Sequence, residues 1–472
     1  MLITASFVLS AFSVVVGDVV HYSPAATNIN NLTFALNGTG APGIFTTSNP
    51  PDSQYGTYNW CNMPHVRQRE YKSPGKNYTL QYVEVIQRHH KRTPYASNTF
   101  FKEDVAWSCD KAGATFGSTS PSGPGSNVSP VQWQGYTDAQ NPWTKTVGPG
   151  FIGSSCQFPQ ITSQGLEDSI THGSDLRAVY ASRLGLGSKF DSTTSKIRVT
   201  NNVITSQVAS GLVAGLFPQS KSQEVAALIQ SSTFDSLEPT YSCNTASNLR
   251  SDYTTGASGE QWQAHLSQAA PLYAKLDKIS GIATSDTAGW HSSFDHYYDN
   301  LSAKQCHGKA LPCNLNDTST CVTQEDANTV YRLGNWEYSY QFRDAPASAK
   351  YSALRYGAWV LELRAHLQGK VDETSKVKYV HNVAHDGSIS PLLGFLQIDQ
   401  MVWPGMGSEI VFELYSSGTR SKSYFIRVLW GGQPMKTSTP LGVLDMIPLT
   451  TFFAYIDTTI GSPNDLLSGC NQ

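Results

Sequence analysis

The sequence predicts an α/β protein with a mixed central sheet flanked by helices and with an inserted, mainly α-helical second domain. Helical spacing of apolar residues over 161–184 is followed by a short strand over 196–200 and a helix over 206–216, and an α/β fold requires this alternation. Segments 408–415 and 424–430 alternate around a Ser-rich turn, which predicts an antiparallel hairpin at the sheet edge. The sheet is therefore expected to be mixed.

The chain begins with an apolar segment that is typical of a secretory signal. Its apolar centre runs from Leu2 to Val16 and small residues follow, although no Lys or Arg precedes the run. A membrane anchor is the competing interpretation, but the run is short beside the roughly 20 apolar residues that a span needs. We therefore predict a signal peptide over 1–17 and a secreted protein, extracellular or in a cell wall, without a membrane anchor.

Composition narrows the class of protein further. Eight cysteines behind a signal segment predict four disulfides in an oxidising compartment, and their pairing stays open. A net charge of -3 and a pI near 6.5 argue against a nucleic-acid binder that neutralises many phosphates. A glycoprotein is expected because the chain contains Asn-x-Ser/Thr sites. These sites are Asn31, Asn37, Asn77, Asn127, Asn300 and Asn316.

The remaining chain divides by composition and periodicity. Residues 18–223 are predicted to form the first part of the α/β domain, with an irregular N-terminal arm to about residue 75 and a Gly/Ser-rich insertion over 110–160. Several amphipathic helical stretches and many aromatic residues over 224–349 predict the helical lobe. Residues 350–472 are predicted to complete the α/β domain.

The most informative group of side chains ends a predicted buried strand. The apolar run after Leu80 favours the strand and Pro94 ends regular structure, so Arg88, His89 and Arg92 are expected together at its C-terminal edge. Ligands of open α/β sheets bind at that edge. A neutral imidazole between guanidiniums suits attack on a phosphoryl group, because the arginines neutralise the charge that repels a nucleophile. The cluster predicts phosphoryl transfer through His89.

A second strand edge carries ionisable side chains. A helix over 351–369 leads into a strand over 377–383, after which come His385 and Asp386. The simplest structural interpretation of Asp386 is a helix N-cap. His381, inside the strand, is interpreted as a packed or hydrogen-bonded histidine.

Taken together, Arg88-His89-x-x-Arg92-x-Pro94 and His385-Asp386 resemble the paired signatures of the histidine acid phosphatases, the branch of the histidine phosphatase superfamily that includes fungal phytases. Further segments are similar and occur in the same order: Ile161-Thr-x-x-Gly165, Arg198-Val-Thr200, Gly215-Leu-Phe-Pro218, Trp403-Pro and Glu409-x-Val-Phe-Glu-Leu-Tyr415. The resemblance covers most of the chain after Tyr78.

The resemblance implies a phosphoric monoester hydrolase that acts through a phosphohistidine on small-molecule phosphomonoesters, with no metal or other cofactor. Phytate and a broad range of monoesters are both candidate substrates. His89 is then the nucleophile and Asp386 the proton donor to the leaving alcohol. The implied phosphate ligands are Arg88, Arg92, Arg198 and His385. Lys91, at the motif's variable position, is either a rim residue for multiply phosphorylated substrates or a solvated lysine.

An acidic optimum is expected on one condition. Arginines must lower the pKa of His89, while burial or hydrogen bonding raises that of Asp386.

Two positions depart from the family pattern. His90 occupies a position that is normally Gly, so its side chain must find room in the pocket. A further arginine, usually found shortly after the position of Arg198, is replaced by Ile204, and we interpret that arginine as a supporting residue. His90 is the one feature that favours the alternative function, a secreted phosphate-ester-binding protein with impaired catalysis.

A metal site and an intracellular mutase are both less consistent with the sequence. A metal site built on His89, His90, His381 and His385 conflicts with three nearby arginines, which repel a cation. A mutase that shares the phosphohistidine step conflicts with the signal segment and with the His-Asp pair.

Overall fold

The structure, a computed structural model, describes residues 19–43, 45, 51–100, 107–110, 112–116, 129, 131–220, 223–418 and 422–471. The predicted signal peptide over 1–17 and the sequon at Asn127 lie outside the described residues.

Strands and helices alternate along most of the chain. The strands are β1 (Tyr78–Arg88), β2 (Thr115–Phe116), β3 (Val131–Gln132), β4 (Ser195–Val199), β5 (Ala227–Leu228), β6 (Cys313–Asn314), β7 (Asp317–Cys321), β8 (Tyr379–Ala384), β9 (Glu409–Ser417), β10 (Ser423–Trp430), β11 (Gln433–Pro434) and β12 (Ile447–Pro448). The helices are α1 (Leu32–Asn37), α2 (Pro149–Ile152), α3 (Ser163–Leu184), α4 (Val203–Leu216), α5 (Asn244–Thr254), α6 (Glu260–Gln268), α7 (Ala270–Ser280), α8 (Asp295–Cys306), α9 (Gln324–Ser339), α10 (Ser348–Val371), α11 (Asp386–Phe395), α12 (Leu449–Thr459) and α13 (Pro463–Cys470).

The central sheet has eight strands in the order β11-β10-β9-β1-β8-β4-β5, and β12 also pairs with β10. The strands β1, β8, β4 and β5 run parallel to one another. On the other side of β1, β9 runs antiparallel to it and forms a hairpin with β10. The predicted mixed sheet and its antiparallel hairpin are confirmed.

Local sequence explains where the two helices beside the sheet begin. The Thr162 side chain accepts a hydrogen bond from the Gly165 N–H at the start of α3, and Gly185 ends this helix with φ 65°. At the start of α4 the Asn202 side chain accepts from the Ile204 N–H. These caps set where the helices before and after β4 begin and where α3 ends.

Helices cover both faces of the sheet. Side chains alternate along β1, so Val83 and Val85 join the core under α3 and α4, while Tyr82 and Ile86 join the core under α10, α11 and α12. The whole strand from Tyr82 to Arg88 is buried, as expected for a central strand covered on both faces. This confirms the predicted α/β core.

Helices α5 to α9 lie between β5 and α10 in the chain and enclose an aromatic core of their own. Part of the N-terminal arm packs on this core through Ala35, Phe45 and Trp60. The described part of the arm contains α1 and a short 3-10 turn over Asp52–Gln54. The exact domain boundaries at 223 and 349 stay a prediction.

Four disulfides form, as the cysteine count predicts. The pairs are Cys61–Cys306, Cys109–Cys156, Cys243–Cys470 and Cys313–Cys321. In the part of the chain that the structure describes, no helix combines the length and the apolar character needed to cross a membrane. Asn300 cannot carry a glycan in this fold, because its side chain is fully buried and its amide donates to the Asn98 carbonyl over 2.7 Å.

Candidate active site

The two motif segments meet because their strands are parallel neighbours. Arg88 pairs with Ala384 in the register of β1 and β8, and the His89 N–H donates to the Ala384 carbonyl over 3.0 Å. His89 and His385 therefore leave the same edge of the sheet, with ring centroids 5.5 Å apart. Asp386 follows directly as the first residue of α11.

Hydrogen bonding selects the reactive nitrogen of His89. Its Nδ1 lies 3.0 Å from the carbonyl oxygen of His90, which can only accept, so Nδ1 carries the proton and Nε2 keeps its lone pair. Burial lowers the pKa of His89 well below its usual value, and the charges of Arg88 and Arg92 lower it further. The imidazole is therefore neutral even in acid, with a lone pair on Nε2.

Arg88 and Arg92 are buried beside His89, and each is held by a carboxylate. Arg88 Nη2 lies 3.0 Å from Asp386 Oδ2, and Arg92 Nη1 lies 2.9 Å from Asp299 Oδ1. Both guanidiniums also lie over aromatic rings, those of Trp60 and Tyr95. The Nε atoms of the two arginines are buried and have no hydrogen-bond acceptor among the described residues.

His385 completes the group. Its Nε2 lies 2.8 Å from the Thr200 hydroxyl oxygen and 3.6 Å from Glu238 Oε2. Burial lowers the pKa of His385 to about 4, and the charge of Asp386 opposes this shift. The ring is therefore neutral above that pH.

Asp386 is ionised, so a raised pKa of this carboxyl, one of the conditions set for an acidic optimum, is not met. Its Oδ2 accepts from Trp403 Nε1 over 2.6 Å and lies 3.0 Å from Arg88 Nη2. Burial raises the pKa of Asp386, but the Arg88 charge and the Trp403 hydrogen bond outweigh it, so the net shift is downward. The helix N-cap interpretation is also wrong, because His385 occupies the N-cap position of α11.

Two residues that the sequence assigned to substrate lie elsewhere. Lys91 is buried, neither at a rim nor solvated, and its Nζ lies 2.9 Å from Asp168 Oδ2 on α3. Arg198 sits opposite Asn382 in the β4–β8 register, and side-chain alternation directs it toward α10. There its guanidinium bonds Glu362, Asp235, Gln230 and Ser236. The structure therefore brings together Arg88, His89, Arg92, His385 and Asp386, without Lys91 or Arg198.

His90 finds room behind the site rather than in it. Its buried ring places Nε2 3.2 Å from His172 Nδ1, and His172 Nε2 lies 2.8 Å from Glu409. Burial raises the pKa of Glu409, but His172 lowers it overall, so the group is a carboxylate that can only accept hydrogen bonds. His172 Nε2–H therefore donates to Glu409, and His90 Nε2–H donates to His172 Nδ1. Gly407, at φ 72°, provides the space: a Cβ there would overlap the His90 ring.

The histidines of the conceivable metal site do not converge. His90 turns to His172, and His381 is hydrogen-bonded to Tyr379 and Gln87, as expected for a strand histidine. Among the described residues, no group of three or more His, Cys, Asp or Glu side chains is placed to hold a metal ion.

Sequence reasoning missed several neighbours of the site. Thr200 and Trp403 belong to segments that the resemblance matched, but their contacts with His385 and Asp386 were not predicted. Asp299 and Glu238 come from the region between β5 and α9, where no local motif marks them. Ile204, in the position of the missing arginine, is fully buried and apolar.

The fold and this constellation define a class. Residues 79–430 match the histidine phosphatase superfamily (branch 2), and the chain belongs to this family. The predicted enzyme class, a phosphoric monoester hydrolase of the histidine acid phosphatase type, is thereby confirmed.

Individual relatives are distant. Counting factor 60 of Dictyostelium discoideum is 27% identical over 390 residues, which cover 79% of this chain and 85% of that protein. 2-Phosphoxylose phosphatase 1 of Danio rerio is 24% identical over 460 residues, which cover 88% of this chain and 86% of that protein. The Bifidobacterium longum multiple inositol polyphosphate phosphatase, solved with inositol hexasulfate, has a similar fold. Its TM-score is 0.54 at 10% identity, with 86% and 98% of the two chains covered.

The space left by Gly407 for His90 predicts an energetic coupling between the two positions. Gly407→Ala should destabilise the protein by about 3 kcal/mol, through the positive φ and the overlap with the ring. In a His90→Gly background the overlap is absent, so the loss should fall to about 1–2 kcal/mol. Urea unfolding of the four proteins measures the coupling, with Gly75→Ala as a control because its added methyl group meets no neighbour. Equal losses in both backgrounds would contradict the packing described.

The position of Arg198 predicts a structural rather than a ligand-binding defect. Arg198→Gln should cost about 3 kcal/mol of stability, since it leaves Asp235 and Glu362 without their cation. The affinity for inorganic phosphate should stay within about twofold of wild type, whereas Arg92→Gln should weaken it by about tenfold or more. Calorimetric titration of the folded variants tests this. A matching loss of phosphate affinity in both variants would place Arg198 in the site.

Proposed function

We propose that this chain is a secreted acid phosphatase that hydrolyses small phosphomonoesters through a phosphohistidine on His89. The observation that carries the proposal is the hydrogen bond from His89 Nδ1 to the His90 carbonyl, which leaves Nε2 unprotonated between two buried guanidiniums. A nucleophile, two cations and a carboxylic acid thus meet at one strand edge. The four disulfides are consistent with a secreted or lumenal protein.

In the first step His89 Nε2 attacks phosphorus and the bond between phosphorus and the ester oxygen breaks. Arg88, Arg92 and His385 hold the three non-bridging oxygens, where negative charge persists through the transition state. Asp386 transfers a proton to the departing oxygen, so the alcohol leaves neutral. The products are the alcohol and a phosphohistidine.

In the second step water attacks the phosphohistidine. The Asp386 carboxylate accepts a proton from this water, the bond between phosphorus and Nε2 breaks, and inorganic phosphate forms. Asp386 and His89 return to their starting protonation states. One residue thus serves as acid in the first step and as base in the second, as microscopic reversibility requires.

Asp386 must hold a proton when the ester is bound, although Arg88 and Trp403 lower the pKa of its carboxyl group. Bound phosphate would raise the pKa of Asp386, because its negative charge pairs with Arg88, which otherwise stabilises the carboxylate. The pKa of Asp386 should therefore rise on substrate binding. This requirement favours activity in acid.

Small monoesters in general and phytate both remain candidate substrates. The alternative function is a secreted phosphate-ester-binding protein with impaired catalysis. Two observations favour it: Ile204 supplies no charge in the position of the missing arginine, and the Glu238 carboxyl lies beside His385. The two functions differ in turnover, which is directly measurable.

Leaving-group dependence tests the proposed roles. His89→Ala should abolish hydrolysis of both p-nitrophenyl phosphate and glycerol phosphate. Asp386→Asn should lower kcat by about 10²–10⁴-fold for glycerol phosphate, whose alkoxide needs a proton to leave, and far less for p-nitrophenyl phosphate. Asp457→Asn is the matched control, since this aspartate pairs with Arg364 at the surface.

Three outcomes would contradict the proposal. Residual turnover in folded His89→Ala would remove the nucleophile. Equal losses on both substrates in Asp386→Asn would remove the acid role. Phosphate binding by the wild type without turnover of either substrate would favour the binding-protein function.

A further inference from the structure

Glu238 reaches the proposed phosphate site from the segment between β5 and α5. Its Oε2 lies 3.6 Å from His385 Nε2, the nitrogen that also contacts the Thr200 hydroxyl over 2.8 Å. The Glu238 side chain is 41% exposed, whereas that of His385 is 8% exposed. The carboxyl group therefore extends from solvent to a buried imidazole that is assigned to the substrate's phosphate.

The surroundings of Glu238 are predominantly acidic. Asp235 lies on the same segment, and Asp386 faces it from the start of α11. Tyr95 approaches from the segment after β1, and His385 from the end of β8. The arginines of this region are paired with aspartates: Arg88 with Asp386, Arg92 with Asp299 and Arg198 with Asp235. Burial and then the charges of Asp235 and Asp386 raise the pKa of Glu238.

A carboxylate at this position opposes phosphate binding in two ways. Its charge repels the oxygens of a phosphate that His385 would bind, because like charges a few ångströms apart in a partly buried site interact strongly. An ionised carboxylate is also only an acceptor, as phosphate oxygens are. Once protonated, the group has no charge and carries an O–H that can donate to a phosphate oxygen.

We propose that Glu238 is a substrate-binding residue that sets the alkaline limit of the enzyme: the site takes a phosphate ester when the Glu238 carboxyl is protonated and rejects it when the carboxyl is ionised. This inference rests on the proposed function, because it takes His385 as a phosphate ligand. It assigns the acid preference to the binding of substrate. His89 is not the source of this limit, since it is a neutral nucleophile at both acidic and neutral pH.

The test is Glu238→Gln, an amide of the same shape that is neutral at every pH and still donates. We expect kcat/KM for p-nitrophenyl phosphate to fall in the wild type as pH rises from 4 to 7, and to fall much less in the variant. At pH 7 the variant should exceed the wild type by about tenfold, while at pH 4 the two should agree within about threefold. Glu260→Gln, which removes an exposed carboxylate on α6, should reproduce the wild-type profile.

Two results would overturn the proposal. The profiles of Glu238→Gln and the wild type could superimpose at every pH, in which case the carboxyl has no influence on substrate. The variant could instead lose the same factor at every pH, in which case Glu238 only supports the position of His385.

Phosphate affinity separates this inference from the proposed function. Calorimetric titration with inorganic phosphate needs no turnover, and the ratio of variant to wild-type affinity cancels the titration of the ligand itself. The ratio should rise by about tenfold between pH 4 and pH 7 even if the wild type hydrolyses nothing. If the wild type turns over substrate but the affinity ratio is the same at pH 4 and pH 7, the Glu238 proposal is wrong and the proposed phosphatase function still stands.

Discussion

The site depends on the parallel pairing of β1 with β8. At the end of this pairing the His89 N–H donates a hydrogen bond to the Ala384 carbonyl over 3.0 Å. The Gly407 N–H donates to the His89 carbonyl, also over 3.0 Å. The backbone of His89 is thus fixed from both sides, and its side chain is oriented by the His90 carbonyl. A nucleophile held in this way loses little freedom when substrate binds, which is how a rigid scaffold supports catalysis.

Collecting several cations in a buried site has an electrostatic cost, and the fold offsets it with carboxylates from separate elements. Arg88 pairs with Asp386 of α11 and Arg92 with Asp299 of α8, and outside the site the buried Lys91 pairs with Asp168 of α3. Pairing keeps the buried charges tolerable. It also links the helical region to the sheet at the site, since Asp299 and Glu238 both come from the stretch between β5 and α9. The site is therefore organised, although no described residue accepts a hydrogen bond from the Nε of Arg88 or Arg92.

Sequence reasoning succeeded where function follows from position at a strand end. The apolar run ending at Arg88 predicted that Arg88, His89 and Arg92 lie together, and the family resemblance added His385 and Asp386 to them. It failed for Lys91 and Arg198, because side-chain direction at a strand edge depends on register and on the helix that covers each face. The lowered pKa of Asp386 also had no sequence signal, because it depends on the distances from its carboxylate to Arg88 and Trp403 in the folded chain. Glu238 had no local signal, because only the folded chain brings it to His385.

The central claim is a covalent bond between phosphorus and His89 Nε2, and rapid-quench mass spectrometry tests it most directly. The enzyme is mixed with a phosphomonoester, stopped within milliseconds in alkali, which preserves phosphohistidine, and digested for peptide sequencing. A phosphoryl group should appear on His89 during turnover and decay when substrate is exhausted. It should be absent from His89→Ala. Turnover without any phosphorylated histidine, or with the phosphoryl group on another residue, would contradict this claim.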